Sequence, residues 1–152
     1  MFSKEEAKNL REAFWTGFGR ITKPHLSAGG YRVNWMNYRT GVKGIKFHLW
    51  AEKRDCGFSI DIEHASLDIR ELQWEQLTEV KTVLEAETGP LIWDSLYTRE
   101  NGKIISRVYQ QMGGVSVYNK NDWPKIMPFL KEGIMGVDRF WVDFKELFVP
   151  LQ

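Results

Sequence analysis

Apolar positions fall into two rhythms along this chain, one of about four residues and one of two. Leu10, Phe14 and Phe18 recur every four residues, with Ala7 and Trp15 widening the stripe. That spacing predicts an amphipathic helix docked on a core. Ser3 followed by Glu6 forms a capping box at its start, and Pro24 ends any continuation beyond Gly17 and Gly19. Residues 25–44 are irregular and rich in Gly and Asn. The rhythm then changes to two. Ile45, Phe47, Leu49 and Ala51 alternate with Lys46, His48 and Trp50, and Phe58, Ile60 and Ile62 alternate with Ser59, Asp61 and Glu63. Two half-buried antiparallel strands, 45–52 and 58–63, are expected, joined by a polar turn over 52–57.

A helical rhythm returns over 68–87, where Ile69, Leu72, Leu77, Val80 and Leu84 form one side and Glu71, Glu75 and Glu79 the other. Asp68 with Glu71 supplies a start, and Gly89-Pro90 a stop. The acidic row is the pattern of a solvated face. Strands 93–98 and 104–111 flank Asn101-Gly102, a strong hairpin signal, and Gly113-Gly114 turns the chain into a third short strand over 115–118. Asp122 caps a helix with Pro124 in its first turn and a candidate kink at Pro128. Gly133 and Gly136 separate it from a last helix bearing Phe140, Trp141, Phe144 and Phe148. The order is helix, hairpin, helix, meander, two helices. The economical solution is an α+β fold, an antiparallel or mixed sheet with helices mainly on one side.

Composition narrows the picture without changing it. At 152 residues with no linker or repeat, the chain fits one domain, 1–152. Its 21 Lys and Arg against 20 Asp and Glu argue against a protein held on nucleic acid mainly by charge. Only the segment from Lys43 to Arg54, with Lys46 and Lys53, is locally basic. The single Cys56 excludes an internal disulfide, sits in the expected turn as a candidate exposed thiol, and fits a reducing compartment. No signal peptide or membrane span is readable, so a cytoplasmic location is expected.

Candidate chemistry concentrates on the first hairpin. Pairing inward residues with inward ones sets Leu49 opposite Ile60 and Phe47 opposite Ile62. The polar face then places His48 opposite Asp61 and Lys46 opposite Glu63. Two carboxylates beside a Lys and a His can hold Mg²⁺ or Mn²⁺ and stabilise charge on a phosphate. They also form ordinary cross-strand ion pairs. Metal nucleases of the restriction type usually follow an acid with x-Lys, and here Ala65 stands where that Lys would follow Glu63. His25 and His64 lack zinc-ligand spacing, and no Ser-His-Asp grouping, phosphate loop or dinucleotide fingerprint is present. A second group is aromatic and basic. Trp35, Tyr38, Tyr118 and Trp123 lie in or beside polar turns near Arg39, Lys43 and Lys120. Such rings either plug the edge of a core or stack on bases.

Five segments carry a resemblance: Ser3-Lys4-Glu5-Glu6 with Phe14-Trp15, residues 37–44, Asp61-Ile62-Glu63, residues 100–107, and residues 118–123. Together they resemble the bacterial family catalogued as domain of unknown function 4268. Members occur alone and as C-terminal parts of larger proteins that look like nucleases or restriction-associated factors. The resemblance therefore implies nucleic acid by association and assigns no catalytic residue. The leading expectation is a non-enzymatic, nucleic-acid-associated accessory or regulatory domain using Tyr38, Arg39, Lys43, Lys120 and Trp123 on DNA or RNA. The alternative is a homodimerisation or protein-interaction module. A further alternative is a divergent metal-dependent nuclease, with Asp61 and Glu63 as Mg²⁺ or Mn²⁺ ligands assisted by Lys46 and His48.

Overall fold

A computed structural model describes residues 2–152. Helix α1 spans Lys4–Thr22 and begins with the expected reciprocal cap: the Glu6 amide donates to Ser3 Oγ at 3.1 Å and the Ser3 amide to Glu6 Oε1 at 3.3 Å. Strands β1 (Ile45–Ala51) and β2 (Asp55–Ile62) form the first hairpin. Helices α2 (Leu67–Glu79) and α3 (Lys81–Thr88) lead to the second hairpin, β3 (Ile92–Thr98) and β4 (Ile104–Gly113), and then to the long helix α4 (Trp123–Phe144). The sheet order is β1-β2-β4-β3 and every neighbouring pair is antiparallel. The fold is α+β, and no helix among the described residues is long and apolar enough to cross a membrane.

Helix α4 runs across one face of the sheet and joins two apolar clusters. One gathers Phe58, Ile60, Ile62 and Val108 from the sheet with Ile134, Val137, Phe140 and Trp141 of α4 and Leu77 and Leu84 of α2 and α3. The other gathers Phe14 and Phe18 of α1 with Ile126 and Leu130 of α4, beside Ala51 and Cys56. A helix of 22 residues is about 33 Å long, enough to reach both.

Several local expectations are corrected. The first hairpin is shifted by two residues: Phe47 pairs with Ile60, Lys46 with Asp61 and His48 with Ser59. Its turn is confined to Lys53 and Arg54, because the Glu52 amide already donates to the Asp55 carbonyl at 2.8 Å and Ala51 pairs with Cys56. A shift of two leaves the faces unchanged, so every inward residue stays inward. Cys56 is therefore a fully buried strand residue, not an exposed turn thiol. Burial, with the Asp55 charge, pushes its pKa up to about 12 and keeps it protonated and unreactive at neutral pH.

The helix expected over 68–87 breaks at Val80, whose φ of −108° and ψ of 20° leave the helical region. Ser66, rather than Asp68, caps α2. Leu72 is exposed while Gln73 is buried, because the Gln73 amide nitrogen donates to the Lys43 and Leu151 carbonyls, each at 2.9 Å. Residues 115–118 are irregular, not a strand, yet Val115 and Val117 still enter the core. The two C-terminal helices are one. Pro128 lies inside α4 without ending it, leaving the Pro124 carbonyl without its intrahelical donor. Gly133 and Gly136 are contact points, not breaks: a Cβ at Gly133 would strike the Phe58 ring, and one at Gly136 the Glu87 carbonyl.

The irregular segment 25–44 is stitched to α4. Asp138, fully buried, accepts from Tyr38 Oη at 2.6 Å and from Ser27 Oγ and the Ala28 amide, both at 2.7 Å. Trp35 Nε1 donates to the His25 carbonyl, and Trp141 Nε1 to the Thr40 carbonyl.

Candidate functional site on the uncovered sheet face

The face of the sheet turned away from α4 carries the side chains that alternate with the core residues. From β1 come Lys46, His48 and Trp50; from β2 Gly57, Ser59 and Asp61; from β4 Arg107, Tyr109 and Gln111. Strand β3 adds Tyr97 through a bulge, three steps on β3 matching two on β4 between Asp94 and Tyr97. The extra residue flips the parity of β3 and brings Tyr97 to the same face as Arg107.

At the centre lies a buried ion pair. Asp61 Oδ1 accepts from Arg107 Nε and Ser59 Oγ, each at 2.8 Å, and Oδ2 from Arg107 Nη2 at 2.8 Å and Arg99 Nη2 at 3.0 Å. Arg99 also donates to Glu63, and Lys46 Nζ stands 3.1 Å from Glu63 Oε1. Burial alone would raise the Asp61 pKa. The hydrogen bonds and charge of Arg107, helped by Ser59 and Arg99, outweigh it and hold the carboxyl below its ordinary range. Glu63 is lowered likewise, its burial outweighed by Arg99 and Lys46.

Aromatic rings surround the guanidinium of Arg107. Its central carbon lies 4.2 Å from the Tyr97 ring centroid and 5.6 Å from that of Trp50. Tyr109 is 5.9 Å from Tyr97 and 6.4 Å from Trp50, and His48 stacks against Trp50 at 5.8 Å. Gly57 creates the seat for Trp50, since a Cβ there would strike the indole and the Gln110 carbonyl. Trp50, Tyr97 and Tyr109 remain half-exposed, and His48 exposed. Desolvation lowers the His48 pKa, with Asp61 opposing and Arg107 and Arg99 reinforcing the shift. The result is a cleft of about 370 Å³ with an aromatic wall, a guanidinium floor, and Glu52, Asp55 and Glu100 on its rim.

Lys46, His48, Asp61 and Glu63 do share one face, as their alternation requires. Asp61 is nevertheless poorly suited to a metal. A carboxylate has about four acceptor positions, and donors from Arg107, Arg99 and Ser59 occupy them. Among the described residues no three His, Cys, Asp or Glu side chains are grouped to hold an ion. The aromatic and basic group is dispersed. Tyr38 is buried against Asp138 and Trp35 against the core, so neither offers a face to a base. Arg39 and Lys43 are exposed on the irregular segment. Lys120 and Trp123 lie elsewhere, in a groove with Ile21, Met127 and Lys131 between α1 and α4.

Arg99, Arg107, Tyr97, Tyr109 and Trp50 escape a reading from the sequence as site residues. Their alternation marks the face they occupy, but the pairing of β2 with β4, which joins Asp61 to Arg107, leaves no local signal.

The chain belongs to the family described as Domain of unknown function (DUF4268), whose family model matches residues 10–145 of the 152. Comparison with curated proteins found no match, and neither did comparison with solved structures.

Proposed function

We propose that the uncovered sheet face binds single-stranded nucleic acid as a non-enzymatic accessory domain, with Trp50, Tyr97 and Tyr109 as stacking platforms. One observation carries the reading: half-exposed aromatic rings converge around a fixed guanidinium on the open side of a four-stranded antiparallel sheet. Every base presents a π-face, and aromatic or guanidinium planes stack on it when it is not already paired in a duplex. A near-neutral chain suits this mode, because stacking supplies affinity without a large excess of cations. A bacterial cytoplasm, with its reducing conditions, accommodates the lone buried thiol of Cys56.

Replacing Trp50 and Tyr109 together with Ala should weaken binding of a labelled single-stranded oligonucleotide by roughly 10–100-fold, read by fluorescence anisotropy. Salt dependence should stay shallow, near the slope of about −0.7 expected for each phosphate neutralised. Undiminished affinity in the double variant would remove this face as the binding surface.

A protein-interaction reading has its own observation. Leu67 and Leu72 of α2, Leu96 of β3 and Ile104 of β4 are all about half-exposed or more, and Leu67 and Leu96 flank a shallow depression with Arg70 and Glu71. Exposed apolar groups gathered this way fit a second copy of the chain. Sedimentation velocity across a range of concentrations should then show a dimer that Leu96→Lys disperses; a strict monomer throughout would discard this reading.

A further inference from the structure

We infer that the cleft on the uncovered face selects guanine among the bases of a single strand. The inference rests on the stacking role proposed above and adds the identity of the base. The cleft is lined by both guanidinium groups and carboxylates. Arg107 spends Nε and Nη2 on Asp61, and Arg99 spends Nη2 on Asp61 and Glu63. Neither Nη1 has a hydrogen-bond partner among the described residues, and both arginines line the cleft. Arg107 is only 8% exposed, so its orientation is fixed before any ligand arrives. At its rim stand Glu52, Asp55 and Glu100. Glu52 lies within range of the Arg11 cation and of the charges of both other acids. Glu52 and Glu100 accept no side-chain hydrogen bond among the described residues, so their oxygens are open to an incoming donor. Trp50 and Tyr109 form its aromatic wall.

A base held there must present donors to a carboxylate and acceptors to a guanidinium while lying flat on an indole. Guanine offers two adjacent donors, N1–H and N2–H, and two adjacent acceptors, O6 and N7, one for each free Nη1. Adenine and cytosine each place an acceptor beside their amino group, where a carboxylate repels it. Uracil and thymine have one donor between two acceptors. Cleft size adds no restriction, because about 370 Å³ falls within the range of small-molecule sites.

The test is a set of labelled oligouridylates of about eight nucleotides carrying one central substitution, titrated with the whole chain by anisotropy. A single guanine should tighten binding on the order of 10-fold over adenine, cytosine or uracil. Inosine, which lacks the 2-amino donor, should lose most of that gain. Glu52→Gln with Glu100→Gln, both at exposed positions, should abolish the preference for guanine. Equal affinity for all four bases would overturn the guanine assignment and leave the stacking surface standing. A preference for another base, or a guanine preference intact in the double variant, would also overturn it. Failure of every oligonucleotide to bind would overturn both readings together.

Discussion

Asp61→Ala is expected to destabilise the folded protein by about 3–5 kcal/mol, measured by urea unfolding at neutral pH. The magnitude follows from what remains behind. Asp61 is 2% exposed and satisfies two guanidinium groups and one hydroxyl. Its removal strands the Arg107 cation beneath Tyr97 and Trp50 with no counter-charge. Such a loss differs from replacing both partners with apolar groups, which is often close to neutral. The pH dependence has a definite sign. Because Asp61 is depressed in the folded state, its contribution is complete above the unfolded carboxyl pKa of about 4. It disappears as pH falls through the lower folded value. The gap between wild type and variant should therefore be constant from about pH 5 upward and narrow in acid. A deficit under about 1 kcal/mol at pH 7 would mean that the pair contributes nothing beyond a surface salt bridge.

Gly133→Ala should destabilise by about 1–3 kcal/mol, although the same change at an exposed helical site would stabilise by roughly 1 kcal/mol. Two effects compete. Alanine reduces the backbone freedom of the unfolded chain and favours helix. Against that, its Cβ would overlap the Phe58 ring, which is held between α4 and β2 at 1% exposure. Phenylalanine cannot swing aside there without opening the main core cluster, so the overlap dominates. Gly17→Ala is the matched control. A Cβ at Gly17 meets only the terminal methyl of Met127 at 3.2 Å, a flexible group that can shift. In thermal melts of both variants Gly17→Ala should be neutral or stabilising, and a stabilised Gly133→Ala would refute the close approach of α4.

Both experiments address features that the sequence hides for the same reason. Local alternation revealed which residues of 45–51 and 58–62 face inward, and Asn101-Gly102 located the second hairpin. Those signals are carried by neighbours in sequence. The first hairpin slipped by two because Glu52-Lys53-Arg54-Asp55 contains no Gly or Asn to mark a tight turn, and Gly57 resembles a turn residue when read alone. Its purpose lies across the ladder, under Trp50. Gly133 and Gly136 look like helix breakers for a parallel reason, since Phe58 and Glu87 explain them from other elements. Asp61 meets Arg107 over 46 residues and Tyr38 meets Asp138 over 100, and no periodicity within one segment encodes either pair. The face bearing Lys46, His48, Asp61 and Glu63 was thus legible, while the arginines and rings that give it chemical character were not.

The bulge in β3 has a consequence for how copies of this protein can meet. β3 forms one outer edge of the sheet, and an intact outer strand is a template for endless addition of further strands. Between Asp94 and Tyr97 that template is spoiled. The Leu96 amide is turned to Asp94 Oδ1 at 3.0 Å, and the Ser95 carbonyl accepts from Ser106 Oγ at 2.8 Å. A foreign strand laid along this margin would lose its ladder halfway. Strand addition is obstructed on that side even though Leu96 stands open to solvent.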